Sequence, residues 1–268
     1  MLYNAKNGRV RFPDGVMEYV RFGTGKRQLV LLPGLGDSLR SMGGMALPMA
    51  LLYRCFAKDF TVYVFGRKYP APENANTRDM TRDVKLAMDT LHIDRADLVG
   101  VSMGGMIAQF MAADYPEKVN RLVLTVTCPC PNPTLEGAVG EWEALAVRGD
   151  HTAFMESNLR LIYSEAYYRK NKWTLPLVGA LTKPKSYESF LRCAHACRTH
   201  NALAVLEAIR CPTLVIGGER DNCLGGDASR LLAERIPAAQ LHMYEQWGHG
   251  LYEEARDFNA RVLDFLLQ

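Results

Sequence analysis

The chain has 268 residues, 48% of them apolar and 23% charged, with a formal net charge of +3. That suits one large α/β domain carrying an insertion, or two small domains. The positive charges form no dense block interleaved with aromatics and no apolar run reaches the length of a membrane span, so neither nucleic acid nor a bilayer core is an expected partner. The polar start Met1-Leu2-Tyr3-Asn4 lacks a signal-peptide core, and seven cysteines is an odd number. Together these predict reduced thiols and a cytoplasmic protein.

Residues 1–14 read as polar and end in the turn signal Phe12-Pro13-Asp14-Gly15. Met17 to Phe22 reads as a strand closed by Gly23-Thr24-Gly25. Gln28 to Leu32 is apolar without alternation, as a strand buried on both faces is, and runs into Pro33-Gly34-Leu35-Gly36-Asp37-Ser38. Helical character spans about Ala46 to Ala57; Phe60 to Phe65 is the next strand, with Gly66-Arg67 its exit. After a loop over 70–76, Thr77 is read as the cap of a helix with Met80, Val84, Met88 and Leu91 on one face. Ala96 to Val101 is an apolar strand, and the helix after Ser102 carries Ile107, Phe110 and Met111 and ends near Asp114-Tyr115-Pro116. Arg121 to Val126 is another buried strand. This alternation predicts a mostly parallel sheet with helices on both faces.

The order breaks at Cys128-Pro129-Cys130-Pro131-Asn132-Pro133, where the prolines can continue neither strand nor helix. From Thr134 to about Asn201 the chain reads as helical, with Trp142, Phe154, Tyr163, Tyr167, Tyr168, Trp173, Tyr187 and Phe190. Its place after a sheet strand predicts a helical cap over 129–201, inserted into a core of 1–128 and 202–268. The sheet resumes at Thr213 to Ile216, followed by Gly217-Gly218-Glu219-Arg220-Asp221. A helix over about Asp227 to Ile236, a strand over Gln240 to Tyr244, the loop Gln246-Trp247-Gly248-His249-Gly250 and a helix with Phe258, Val262, Phe265 and Leu266 on one face complete the chain.

Gly100-Val101-Ser102-Met103-Gly104 lies between a strand and a helix, the setting in which Gly-x-Ser-x-Gly presents a nucleophile. So tight a turn strains the serine backbone and leaves its hydroxyl proud at a helix N-terminus. A serine hydroxyl is a poor nucleophile and needs a base. His92 ends a helix, His151, His195 and His200 fall in the expected cap, and His242 lies in a strand. Only His249 sits in a glycine-flanked loop just after a sheet strand. Asp221, with Glu219 and Asp227 as neighbouring rivals, is the expected acid that fixes the imidazole tautomer. The backbone N–H groups of Met103 and Leu35 are the expected oxyanion donors. Cys193, Cys197 and His200 share a helix face, but no fourth ligand accompanies them, so no metal is expected and packing is the preferred reading. Met42, Met45, Met49 and Met103 either line an adaptable apolar pocket or fill the core.

The segments Leu32-Pro33-Gly34-Leu35-Gly36, Gly100 to Gly105, Tyr115-Pro116-Glu117-Lys118-Val119, Cys211 to Gly218 with Asp221, and Gly248-His249-Gly250 together resemble the α/β-hydrolase superfamily. The likeness is greatest to its capped, small-molecule branch of carboxylesterases, carbon–carbon bond hydrolases and cofactor-free haloperoxidases. It implies the α/β-hydrolase fold, a triad of Ser102, Asp221 and His249, oxyanion donors at Leu35 and Met103, and no cofactor. Two departures stand out: Pro33-Gly34 where relatives often carry His-Gly, and Phe65-Gly66-Arg67 where many carry Asp-x-Arg-Gly. A serine nucleophile argues against epoxide hydrolase and haloalkane dehalogenase chemistry. The expected activity is cleavage of a small ester or related acyl compound through an acyl-enzyme. Carbon–carbon bond hydrolysis, acyl transfer and a ligand receptor with slow turnover are the alternatives that the same fold allows.

Overall fold

A computed structural model describes residues 2–39 and 41–268. Eight strands, β1 (Lys6–Phe12), β2 (Gly15–Phe22), β3 (Arg27–Leu32), β4 (Phe60–Tyr69), β5 (Ala96–Val101), β6 (Val119–Thr125), β7 (Thr213–Gly218) and β8 (Gln240–Tyr244), form one sheet in the order β1-β2-β4-β3-β5-β6-β7-β8. β1 and β2 form an antiparallel hairpin, and β2 runs antiparallel to β4. Every pairing from β4 to β8 is parallel. Parallel neighbours need long crossovers, and the helices supply them.

The helices are α1 (Ala46–Leu52), α2 (Thr77–Thr90), α3 (Met103–Asp114), α4 (Pro133–Val147), α5 (His151–Ile162), α6 (Glu165–Asn171), α7 (Leu175–Thr182), α8 (Glu188–Arg198), α9 (Gly226–Arg235), α10 (Leu251–Glu254) and α11 (Phe258–Leu267). β3 explains the two-layer core. Val30 and Leu32 join a cluster with side chains of α2, α3 and α9, while Leu29 and Leu31 join another with α1 and α11. A strand covered on both faces has no polar side to alternate with.

Two expectations are corrected and one is refined. The polar stretch before Phe12 is strand β1: it lies at the sheet's edge and only Val10 within it is buried, so its sequence shows little alternation. The helical character expected from Ala46 to about Ala57 is α1 followed by a 3₁₀ turn over Arg54–Phe56. The N-cap of α2 is Asn76, not Thr77: Asn76 is extended, and its side chain accepts the Asp79 N–H at 2.9 Å. Thr77 is instead buried, with Oγ1 2.8 Å from His200 Nδ1.

Five helices, α4 to α8, occupy the chain between β6 and β7. Trp142, Phe154 and Phe190 are buried among them, and the rings of Phe154 and Phe190 meet edge to face with centroids 5.0 Å apart.

Candidate active site

β5 ends at Val101, and Ser102 turns the chain into α3 with φ 54° and ψ −120°. That is a left-handed conformation costly to any residue with a side chain. Its surroundings hold it there. The Ser102 N–H donates to the Thr125 carbonyl at 2.9 Å, and Thr127 Oγ1 donates to the Ser102 carbonyl at 2.8 Å. A Cβ on Gly100 would lie 2.6 Å from the Gly104 carbonyl oxygen, and one on Gly104 would lie 1.9 Å from that of Leu32. The glycines around the serine thus let α3 pass close against β5 and β3.

The loops after β7 and β8 bring Asp221 and His249 together. Both are buried, and His249 Nδ1 is 2.9 Å from Asp221 Oδ2. Asp221 Oδ1 accepts the N–H groups of Cys223 at 2.8 Å and Leu224 at 2.9 Å. With Nδ1 facing a carboxylate, Nε2 is the nitrogen left to receive a proton. Ser102 and His249 line one cavity, and among the described residues none is hydrogen-bonded to Ser102 Oγ. The rival acids are placed otherwise: Glu219 pairs with Arg230, and Asp227 sits in the first turn of α9.

The remaining histidines in described segments lie away from this cavity. His151 stands 2.5 Å from the Tyr187 hydroxyl, and the His242 ring lies edge to face on Tyr244. His200 is wedged between Thr77 and Gln109, and burial pushes its pKa down to about 3. Both its ring nitrogens are occupied, while Cys193 and Cys197 are buried thiols whose pKa values burial raises. Among the described residues, Asp221, Cys223 and His249 alone bring three metal-ligating atoms within 4.8 Å of one another, and those carboxylate oxygens are already bonded.

Leu35 opens a 3₁₀ turn over Leu35–Leu39, and Met103 is the first residue of α3. An N–H at such a position has no acceptor within its own helix and is free to meet an anion. The turn between them is close: a Cβ on Gly34 would lie 3.4 Å from Ser102 Cβ. Arg67, at the end of β4, donates Nη2 to the Pro33 carbonyl and so steadies this turn. Neither Arg67 nor Thr127 carries a local sequence signal for these contacts, which join segments distant in the chain.

The cavity has a volume of about 370 Å³. Met42, Met45 and Met49 line it, but Met103 does not; Met103 is wholly buried in the core. Trp142, Asn158, Ile162 and Phe190 bound it from the α4–α8 side, and Val64, Val99 and Val262 from the sheet and α11. Among its described lining residues there is no lysine or arginine, whereas Asp37 and Glu253 are present. Burial pushes the Asp37 carboxyl up to about 6 despite nearby Arg67, and also raises Glu253, which accepts the Tyr163 hydroxyl at 2.9 Å. A second cavity of about 490 Å³ shares Asp37, Ser41 and Met42 with the first and is lined by Arg9, Arg67, Lys68 and Lys185 along with Glu18 and Glu188; Lys68 pairs with Asp14 and Asp83, and Arg9 with Glu18.

The helical segment is fastened to the loop that carries His249. The Gly250 N–H donates to the Ile162 carbonyl at 2.6 Å. Ser164 donates its N–H at 2.9 Å and its hydroxyl at 2.5 Å to Glu254.

Comparison with known proteins agrees with this architecture. Residues 28–145 match the family described as alpha/beta hydrolase fold. The 2-hydroxymuconate semialdehyde hydrolase of Pseudomonas sp. (strain CF600) is 33% identical over 254 residues, covering 90% of this chain and 87% of that one. A 2-hydroxy-6-oxononadienedioate/2-hydroxy-6-oxononatrienedioate hydrolase of Paraburkholderia phymatum is 28% identical, over 94% of this chain and 91% of its own. Among solved structures, the enol-lactonase from Burkholderia xenovorans LB400 shares the fold with a TM-score of 0.84 at 21% identity, over 97% of this chain and 100% of that one. Among the described residues no helix is long and apolar enough to cross a membrane. Sheet order, serine turn and shared length agree: this chain is a hydrolase belonging to the α/β-hydrolase family.

Proposed function

We propose that the chain is a serine hydrolase cleaving a small, uncharged, apolar ester or related acyl compound. The observation that carries this reading is the buried pair of His249 and Asp221, 2.9 Å apart, beside a cavity that also holds the strained Ser102. His249 Nε2 takes the Ser102 proton as Oγ attacks the substrate carbonyl. The N–H groups of Leu35 and Met103 receive the charge on the former carbonyl oxygen; losing one such donor typically costs about 10²–10³ in rate. The tetrahedral adduct collapses, the bond to the leaving group breaks, and His249 returns its proton to that group. Water, deprotonated by His249, then releases the acid from the acyl-enzyme and restores Ser102.

The preference for an uncharged substrate follows from the cavity. Its described lining supplies no cation and two carboxyl groups, an unfavourable setting for an anion and a good one for aliphatic groups. Residues 129–201 act in this reading as a cap that excludes water from the acyl-enzyme, as the lining by Trp142, Ile162 and Phe190 supports. All seven cysteines are unpaired, which supports a reducing, cytoplasmic setting.

A fluorophosphonate probe should label Ser102 and fail to label Ser102→Ala. Asp221→Asn should lower kcat on p-nitrophenyl esters by about 10⁴, the loss typical when the imidazole tautomer is no longer fixed. Absence of labelling on the unaltered protein refutes the reading. Carbon–carbon bond hydrolysis is the second reading, favoured by the relative named a 2-hydroxymuconate semialdehyde hydrolase and by the adjoining cavity with Arg9, Arg67, Lys68 and Lys185. There a substrate carboxylate would rest in the second cavity while its carbonyl reached Ser102. Turnover of an anionic dienoate far faster than any neutral ester would favour it.

A further inference from the structure

The outer side of α7 presents a row of large apolar side chains to water. Trp173, just ahead of the helix, is 79% exposed, Leu177 67% and Leu181 77%. They are four residues apart, so they form one stripe along the helix. Elsewhere among the described residues, only Val147 and Tyr69 combine such size with comparable exposure. The opposite side is anchored: Leu175 and Gly179 are buried, and Thr182 Oγ1 lies 3.3 Å from His151 Nε2 on α5. The stripe therefore belongs to a packed helix and has no cover within the described chain.

Charge is distributed around it with one sign in excess. Between residues 165 and 185 the basic residues are Arg169, Lys170, Lys172, Lys183 and Lys185, and the only acid is Glu165. Glu165 pairs with Arg169 at 2.7 Å. The four lysines have no carboxylate partner among the described residues; Lys172 Nζ instead stands 4.9 Å from the centroid of the Trp173 ring. Two such faces brought together would oppose lysine to lysine with no acid between them, which disfavours pairing of two copies. A flat, negatively charged, apolar-cored surface satisfies both features at once. A Trp and leucines insert at the headgroup level, and flanking lysines reach the anionic headgroups with their stems along the apolar face.

We propose that the Trp173–Leu181 face of α7 docks this protein on the surface of a membrane rich in anionic lipid. The helix lies in the interface and does not span it. Pro184 and Lys185, directly after α7, line the 490 Å³ cavity, so the docked face adjoins that cavity. Apolar acyl compounds concentrate in bilayers, and docking would bring the enzyme to them.

The test is flotation of the full chain with vesicles of equal parts phosphatidylglycerol and phosphatidylcholine, against phosphatidylcholine alone. Binding is expected to the anionic vesicles at low salt, with a blue shift of tryptophan emission that Trp173→Phe removes. Neutralising Lys170, Lys172 or Lys183 to Gln should weaken partitioning about fivefold each, the effect typical of one lysine near an anionic surface. Leu177→Asp with Leu181→Asp should abolish flotation. These variants should keep their turnover of a soluble ester, because none of the altered residues lines the cavity at Ser102. The proposal is overturned if the unaltered protein does not float at low salt, or if neutral vesicles bind it equally well. It is also overturned if the double Asp variant still floats, or if light scattering shows a dimer that the double Asp change dissociates while no vesicle binds.

Discussion

Replacing Ser102 by glycine should make the protein more stable than replacing it by alanine, although both remove the same hydroxyl. At φ 54° and ψ −120° a side chain is held in a conformation that glycine adopts freely. Such strain is worth about 1–3 kcal/mol. Glycine gives back about 0.5–1 kcal/mol through the greater freedom of the unfolded chain. The net advantage of Ser102→Gly over Ser102→Ala is therefore about 1 kcal/mol, between limits of about 0 and 2.5 kcal/mol. For a domain near this size each kcal/mol moves the Tm by about 2–4 °C. Both variants lack Oγ, so they differ only in the Cβ, through the backbone strain it imposes and the freedom it removes from the unfolded chain. Equilibrium urea unfolding, read by far-ultraviolet circular dichroism, would give both midpoints at constant slope. A glycine variant no more stable than the alanine variant would refute the claim that the turn stores strain at this residue.

Further outcomes follow from the same geometry and from burial. Gly104→Ala should destabilise by about 3 kcal/mol or yield insoluble protein, because its Cβ would meet the Leu32 backbone at 1.9 Å. Gly140→Ala in α4 meets nothing within 4 Å and should stabilise by about 0.5–1 kcal/mol; comparable midpoints for the two variants would contradict the packing argument. Asp37 should make the protein less stable as pH rises from about 4 to 6. Its carboxyl ionises near 6 when folded but near 3.8 when unfolded, so the folded state binds the extra proton in that window and loses that advantage above it. The loss amounts to about 2–3 kcal/mol at neutral pH. Asp37→Asn should flatten this slope and raise stability at pH 7.5, and a variant whose urea midpoints track the unaltered protein across that range would exclude the burial argument.

The most legible parts of the sequence are those buried on both sides. β3 and β5 read directly from the apolar runs Leu29–Leu32 and Leu98–Val101, since no solvent face dilutes the signal there. β1 does not, because an edge strand with one buried side chain resembles a polar loop. Asn76 and Thr77 both suit a helix cap, and only the extended backbone at Asn76 decides between them. At the site, the positions of Ser102, Asp221 and His249 at strand ends are readable from local pattern. What is not readable is the set of contacts that orient them. Thr127 on the Ser102 carbonyl, Arg67 on Pro33 and Glu254 on Ser164 each join residues tens of positions apart, and nothing in either local stretch encodes the other.

The fastening of Ile162 and Ser164 to Gly250 and Glu254 bears on how this enzyme could be re-engineered. Grafting a foreign set of helices onto the β-sheet scaffold to change selectivity would sever the tether one residue from the imidazole. A chimera that transplants 162–164 together with 250–254 would preserve that joint. One that swaps the helices alone would confound altered recognition with a displaced His249.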